Sequence, residues 1–279
     1  MSWPVLPTPL RPGVSRTALA SLQTHALLEL GRPDGLAPAL YEVAAAGGRQ
    51  QLARAADPDA YRTAVRAGEL PGPGQVSRFG ARKRWMAAAA EHALAAGIRQ
   101  IAVLGAGFDT LGLRLLRGEP DHLVAELDRP ATLAAKEHAL HASAIAPPWP
   151  RFAAVDLAEP SAVARALENV DWRAADPALF VAEVVLEYLA SEAALALLSS
   201  IGALAGPASR LACTVRFGDV ADDRAAAAAA AAGEPMRFRP ATAAELRQLL
   251  ERAGLDVLAA DGVIGTGGAS ALLVLEARP

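Results

Sequence analysis

The sequence predicts an α/β protein built around a seven-stranded, mostly parallel sheet with a final antiparallel strand. Three observations carry that expectation. Short apolar runs recur along the second half of the chain with helical patterns between most of them, and each strand–helix–strand step needs a crossover that makes its strands parallel. The first run, Ile101 to Leu104, ends in Gly105-Ala106-Gly107 and opens into a helical pattern, which is how a buried parallel strand meets a ligand at its carboxyl end. The last two runs are joined by Asp261-Gly262 through Gly267-Gly268, too short for a crossover helix, so they pair antiparallel.

Along the chain, residues 1 to about 14 are proline-rich and read as an extended arm. A helix follows from Ser15, an N-cap residue type, through Leu19, Leu22, Ala26, Leu27 and Leu30, stopping near Gly31 and Pro33. More helical sequence runs from Tyr41 to Ala67. Pro71-Gly72-Pro73-Gly74 breaks the chain, as a linker or as the turn into the main domain. Arg78 to Ala96 reads as a helix feeding the first strand. The expected strands are Ile101 to Leu104, Leu123 to Leu127, Phe152 to Val155, Leu179 to Val184, Arg210 to Val215, Val257 to Ala260 and Ala271 to Leu275, with helices near 110–117, 130–143, 161–168, 191–205 and 243–253. Arg216 to Pro240 holds an alanine tract and no strand pattern. At the carboxyl edge of the fifth strand it reads as a helical lid or, alternatively, as a solvated loop. Residues 1–75 are expected to form the arm and N-terminal helices, part of the lid; residues 76–279 are the core, and the two make one compact unit.

A chain of 279 residues with 53% hydrophobic content can bury a sizeable core, although aromatics supply only 5%. The net charge of -3, from 27 basic and 30 acidic side chains, gives no electrostatic reason for a nucleic-acid or acidic-membrane partner. One cysteine, Cys213, excludes an internal disulfide and a cysteine-cluster metal site; in a buried strand it reads as a small core residue. The N-terminus lacks a charged start followed by an apolar run. Ala225 to Ala232 is too short to cross about 30 Å of hydrocarbon. The expectation is a soluble, cytoplasmic protein without a metal.

The chemistry concentrates at strand ends. Gly105 and Gly107 let backbone approach a ligand where a side chain would collide. Some twenty residues on, Leu123-Val124-Ala125-Glu126-Leu127-Asp128 ends in carboxylates, spaced to meet an adenosine ribose. A dinucleotide fingerprint would have a third glycine where Thr110 stands, which counts against NAD and FAD. The alternating series with its antiparallel end also suits a methyltransferase sheet better than a dehydrogenase sheet.

The wider string Leu104-Gly105-Ala106-Gly107-Phe108-Asp109-Thr110-Leu111-Gly112-Leu113-Arg114-Leu115 resembles the leucine carboxyl methyltransferase family, including its bacterial S-adenosylmethionine-dependent O-methyltransferase branch. Further segments resemble that family in the same order: Thr17-Ala18 through Arg32-Pro33-Asp34, Arg82-Lys83-Arg84-Trp85, Glu126-Leu127-Asp128-Arg129-Pro130 with Lys136, Asp156-Leu157, and Phe180 through Leu189. Two departures stand out. Many bacterial members have glycine after the fourth-strand glutamate, where this chain has Val184, and a carboxylate after the Arg-x-Arg-aromatic segment, where it has Met86 and Ala87.

The resemblance implies a Rossmann-like class I methyltransferase core that binds S-adenosyl-L-methionine. Arg82 would pair with the cofactor's carboxylate and Glu183 would bind near its ammonium. Gly105, Ala106 and Gly107 would pack against the methionyl part. Asp128 would accept from the ribose hydroxyls and Asp156 from the adenine amino group, with the Leu157 backbone at the ring edge. Each has a plainer alternative: a surface helix charge for Arg82, a solvated strand end for Asp128, a turn residue for Asp156. Asp109 reads as a helix cap. Glu183 in an apolar strand would be costly to bury without a cation. Tyr188 either faces substrate or is a core aromatic.

The implied reaction moves a methyl group to a substrate oxygen. A carboxylate acceptor, with a pKa of about 4, needs no general base, whereas a phenol near about 10 is helped by one. His122, His138 and His141 lie away from the expected lid and read as surface or packing residues. With no base in view and no catalytic side chain assigned, the expectation is methyl-ester formation on a small molecule by positioning alone. Arg216, Arg237 and Arg239 flank the lid, as solvated charges or as anion-holding groups. Rival readings are a protein C-terminal carboxyl methyltransferase, a phenolic O-methyltransferase, a non-catalytic cofactor-binding protein and a dehydrogenase.

Overall fold

The computed structural model describes residues 12–118, 120–217, 224–263 and 269–277. Most of the expected proline-rich arm, part of the lid segment (218–223) and the turn between the last two strands (264–268) lie outside the described residues.

Helix α1 (Arg16–Leu28) starts where Ser15 accepts a hydrogen bond from the Ala18 N–H. The segment read as one helical stretch from Tyr41 to Ala67 is in fact broken into α2 (Leu36–Ala44), α3 (Gly48–Ala56) and α4 (Pro58–Arg66). The breaks fall at Gly47, in a left-handed conformation, and at Asp57, whose carboxylate caps α4 ahead of Pro58. The Pro-Gly-Pro-Gly stretch is the turn into α5 (Pro73–Ala95), with Pro73 in its first turn.

Strands and helices then alternate: β1 (Gln100–Leu104), α6 (Leu111–Gly118), β2 (Leu123–Asp128), α7 (Pro130–Ala142), β3 (Arg151–Ala154), α8 (Pro160–Glu168), β4 (Ala178–Ala182), α9 (Ser191–Ala203), β5 (Arg210–Phe217), α10 (Arg224–Ala231), α11 (Ala243–Arg252), β6 (Leu255–Val263) and β7 (Ala269–Ala277). The sheet order is β3-β2-β1-β4-β5-β7-β6. The pairs among β1 to β5 are parallel, and β7 runs antiparallel to both β5 and β6.

Both faces of the sheet are covered, and the strand alternation shows it. Ala102 and Leu104 point into a core shared with α8, α9 and α11, while Ile101 and Val103 point into one shared with α5 and α6. The N-terminal helices form a third cluster with α6 and α7, through Leu19, Leu22, Leu40 and Tyr41 against Leu113, Ala139 and Leu140. They therefore pack directly above the carboxyl ends of β1 and β2. Among the described residues no helix is long and apolar enough to cross a membrane.

Candidate functional site

The chain order changes direction between β1 and β4, and a cavity of about 450 Å³ opens at the strand ends there. Its floor is Gly105–Gly107 after β1. Asp128 ends β2, Asp156 follows β3 and Glu183 follows β4, while Ser15 to His25 of the first helix and Glu234 to Arg237 after α10 complete the wall.

Gly105 and Gly107 adopt φ of 63° and 49°, a conformation that favours glycine. A Cβ on Gly105 would lie 2.3 Å from Val185, and one on Gly107 would lie 3.0 Å from Ala18. The turn therefore fits tightly between the segment after β4 and α1, with no side chain of its own at Gly105 or Gly107. Asp128 locks it: one carboxylate oxygen accepts from the Gly107 N–H at 2.7 Å and the other from the Arg129 N–H at 2.7 Å. Burial pushes the Asp128 carboxyl up, against the pull of those two N–H donors. A carboxylate offers about four acceptor sites, so two donors leave room for a ligand's hydroxyls. Asp156 is exposed and accepts from the Ala158 N–H at 2.9 Å, so the turn role and the cavity position coexist. The buried Leu157 lines the same end.

Elsewhere in the same wall, four charged side chains form a network. Arg82 Nε donates to Glu183 at 2.6 Å, and Lys83 Nζ bridges Asp109 at 2.7 Å and Glu183 at 2.8 Å. The cost of burying Glu183 is thus met by two cations. It stands just past β4 rather than within it, because β4 ends at Ala182 and Val184 turns left-handed at φ 53°. The terminal nitrogens of Arg82 donate to no described residue, and its guanidinium lies over the Phe79 ring at 4.8 Å. For Lys83, burial alone would pull the ammonium down, but Asp109 and Glu183 hold it above its ordinary value. Asp109 would be pushed up by burial, yet Lys83 foremost, with His25, holds it well below the carboxylate range. Its other oxygen accepts from the Leu111 N–H at 3.1 Å, the expected cap.

Beneath the turn, Lys136 and Glu126 form a fully buried pair, and Lys136 Nζ also donates to the Asp109 carbonyl at 2.5 Å. Burial pushes the Glu126 carboxyl up to about 7 despite Lys136. This pair supports the floor from below. Cys213 is buried in β5, and desolvation pushes its thiol up.

Sequence reasoning missed the groups on the cap. Glu234, after α10, accepts from Ser15 Oγ at 3.2 Å and from the Thr17 N–H at 3.0 Å and hydroxyl at 2.5 Å, and Arg129 donates to it at 3.1 Å. It ties the segment after β5 to the start of α1. Tyr188 lines the cavity, and burial raises its phenol to about 12. Of the three arginines flanking that segment, Arg237 alone lines the cavity, whereas Arg216 lies near the buried Glu187. None of His122, His138 and His141 does so; His141 packs edge-on against Trp149. His25, a residue the sequence reading did not single out, lines the cavity, and its Nε2 lies 2.8 Å from Glu29. The i,i+4 spacing of His25 and Glu29 on one helix face was the available signal.

Residues 34–202 match the family model described as leucine carboxyl methyltransferase. A Parafrankia sp. (strain EAN1pec) protein, provisionally named an S-adenosyl-L-methionine-dependent methyltransferase, is 37% identical over 206 residues, 72% of this chain and 62% of that relative. The chain therefore spans about three-fifths of that relative's length. Among solved structures, a DUF574 family protein from Streptomyces avermitilis MA-4680 aligns with a TM-score of 0.60 over 93% of this chain and 97% of its own, at 20% identity. An O-methyltransferase family protein from Burkholderia thailandensis aligns at 0.53 over 93% and 72%, at 16% identity. At those identities the likeness concerns the fold.

Proposed function

Because the chain belongs to the leucine carboxyl methyltransferase family, we propose that it is an S-adenosyl-L-methionine-dependent O-methyltransferase acting on a small molecule, with a carboxylate as acceptor. The single observation that carries this reading is the cavity itself. A glycine turn locked by Asp128 stands at one part of it, and Arg82, whose terminal nitrogens donate to no described residue, stands beside Glu183 at another. These groups complement the two ends of that cofactor: donors for a carboxylate, acceptors for an ammonium and a ribose. When bound, the cofactor supplies a methyl carbon made electrophilic by its sulfonium.

The chain's own residues position and enclose. Arg82 would hold the cofactor's carboxylate, Glu183 its ammonium, Asp128 the ribose, and Asp156 with the Leu157 backbone the adenine. Residues 1–75, with the helical lid that includes α10, would cap a core of residues 76–279. A dry site favours a reaction in which a positive sulfonium and a negative oxygen lose their charges. The support for an anionic acceptor is Arg237, which lines the mouth and forms no ion pair among the described residues. A hydroxyl acceptor is the second reading, favoured by His25 in the wall.

Calorimetry with S-adenosylhomocysteine, followed by mass spectrometry of methylated products from carboxylic acids, tests the proposal. Micromolar binding and a base-labile methyl ester are expected. Absence of binding refutes the cofactor assignment, and a methylated nitrogen or carbon as the sole product refutes the oxygen assignment.

A further inference from the structure

We infer that His25, oriented by Glu29, is a proton acceptor in this cavity, so that phenol and alcohol oxygens are methyl acceptors here alongside carboxylates. The inference rests on the methyl-transfer reading and assigns a role to residues which that reading leaves without one.

His25 sits within α1, is buried, and lines the cavity. Its Nε2 is 2.8 Å from Glu29 Oε1. That carboxylate is held in place from every side: its other oxygen accepts from the Leu36 and Ala37 N–H groups at the start of α2, both at 3.0 Å, and Arg114 pairs with it from α6. Burial would raise the Glu29 carboxyl, but His25, the α2 amides and Arg114 hold it near 2. That carboxylate can only accept, so it favours the tautomer with the proton on Nε2 and leaves Nδ1 as the nitrogen able to take a proton. Nδ1 donates to or accepts from no described residue, yet it is not sealed in, unlike the buried and unpartnered His122 Nδ1. An imidazole oriented by a carboxylate on one nitrogen, in a residue that lines a ligand cavity, is the arrangement that makes histidine a general base.

The groups around the ring fit that role. Phe79 of α5 lies 5.5 Å from it between ring centres, and Arg82 and Lys83 lie 4.8 and 5.3 Å from the centre of that same phenyl ring. Asp109, after β1, is paired with Lys83, and Glu29 is paired with Arg114. The imidazole thus stands between two compensated ion pairs. In the step, the hydroxyl proton passes to Nδ1 as the oxygen forms its bond to the methyl carbon. The carbon–sulfur bond breaks with its electron pair staying on sulfur, and the imidazolium returns the proton to water.

The test uses the full chain and H25Q, whose amide keeps a donor toward Glu29 but has no basic nitrogen; H25N is the second variant if H25Q proves unstable. Both are offered 4-methylphenol, catechol and 4-hydroxybenzoate beside benzoate, with S-adenosylhomocysteine affinity measured in parallel. Ether formation in H25Q should fall about 10²- to 10⁴-fold at pH 7 and recover as the pH nears the phenol's own pKa of about 10. Ester formation and S-adenosylhomocysteine affinity should fall far less than ether formation, so the ether-to-ester ratio is the readout. Nitrogen-15 NMR of the wild type should show one histidine fixed as the Nε2–H tautomer, and H25Q should lack it. The inference is overturned by unchanged ether formation in H25Q, by ether and ester falling together, by an Nδ1–H tautomer, or by S-adenosylhomocysteine binding with no ether from any phenol. Failure to bind S-adenosylhomocysteine would instead remove the methyl-transfer reading, and this inference with it.

Discussion

Replacing Glu29 by Gln should cost more stability than almost any other single-atom change in this protein, and the cost should depend on pH in a defined direction. Glu29 gathers two α2 amides, the His25 imidazole and the Arg114 guanidinium. It therefore joins α1, α2 and α6 at one carboxylate. Gln keeps one acceptor oxygen and turns an NH₂ toward donors, so at least two charge-assisted bonds are lost. At about 1.5–3 kcal/mol each, partly regained by relaxation, the expected loss is roughly 3 kcal/mol at pH 7. The pKa displacement gives an independent bound. Moving a carboxyl from its ordinary 4.5 to about 2 is worth at most roughly 3 kcal/mol, at about 1.4 kcal/mol per pH unit. The sign follows from the depressed folded value: the stabilisation is fully present above about 4.5, and is lost as pH falls toward 2. Urea unfolding followed by tryptophan fluorescence measures it. The difference between wild type and E29Q should be near its full size at pH 7 and smaller by about 1–1.5 kcal/mol at pH 3.5. A difference below about 1 kcal/mol at pH 7, or one that does not shrink on acidification, would refute this account of how the cap is anchored.

Gly105→Ala should abolish S-adenosylhomocysteine binding measured by calorimetry, because its Cβ would overlap Val185 at 2.3 Å and must sit at φ 63°. Asp128→Asn should weaken that binding about 10- to 100-fold, since the amide cannot accept from both Gly107 and Arg129; an unchanged dissociation constant would remove Asp128 from the site. Val184→Gly should be neutral or stabilising in thermal denaturation, against the usual cost of a Val→Gly change, because a β-branched residue at φ 53° stores about 1–3 kcal/mol. A Tm drop of more than about 4 °C would show that no strain was relieved there. Cys213 should resist thiol reagents in the native protein and react once urea unfolds it, as its complete burial in β5 requires.

Local chemistry made much of this protein readable from residues alone. Apolar runs ending in Gly105, Asp128 and Glu183 marked the strands, their order along the chain and the end at which the cavity opens, because burial on both faces favours apolar strands with most of their polar residues near the tips. The helix break at Pro71 to Gly74 and the caps at Ser15 and Asp109 were equally legible, since one or two residues fix such geometry. The family string around Gly105 added the cofactor. The left-handed conformation of Val184 became visible only in the fold.

Tertiary structure decided what distant segments do to one another. Lys83 bridging Asp109 and Glu183, Glu234 gripping Ser15 and Thr17 from 219 and 217 residues away, and His25 reaching the same cavity as Arg82 have no local signature. Each depends on how α1, α5 and the segment after α10 pack over the strand ends. Electrostatic partnership is set by distance in space and by burial, and neither is written in the spacing of residues along a chain. The sequence by itself determined the sheet and the glycine turn that floors the cavity; the packing of the N-terminal helices over that floor decided which charges are paired and which imidazole lines the cavity.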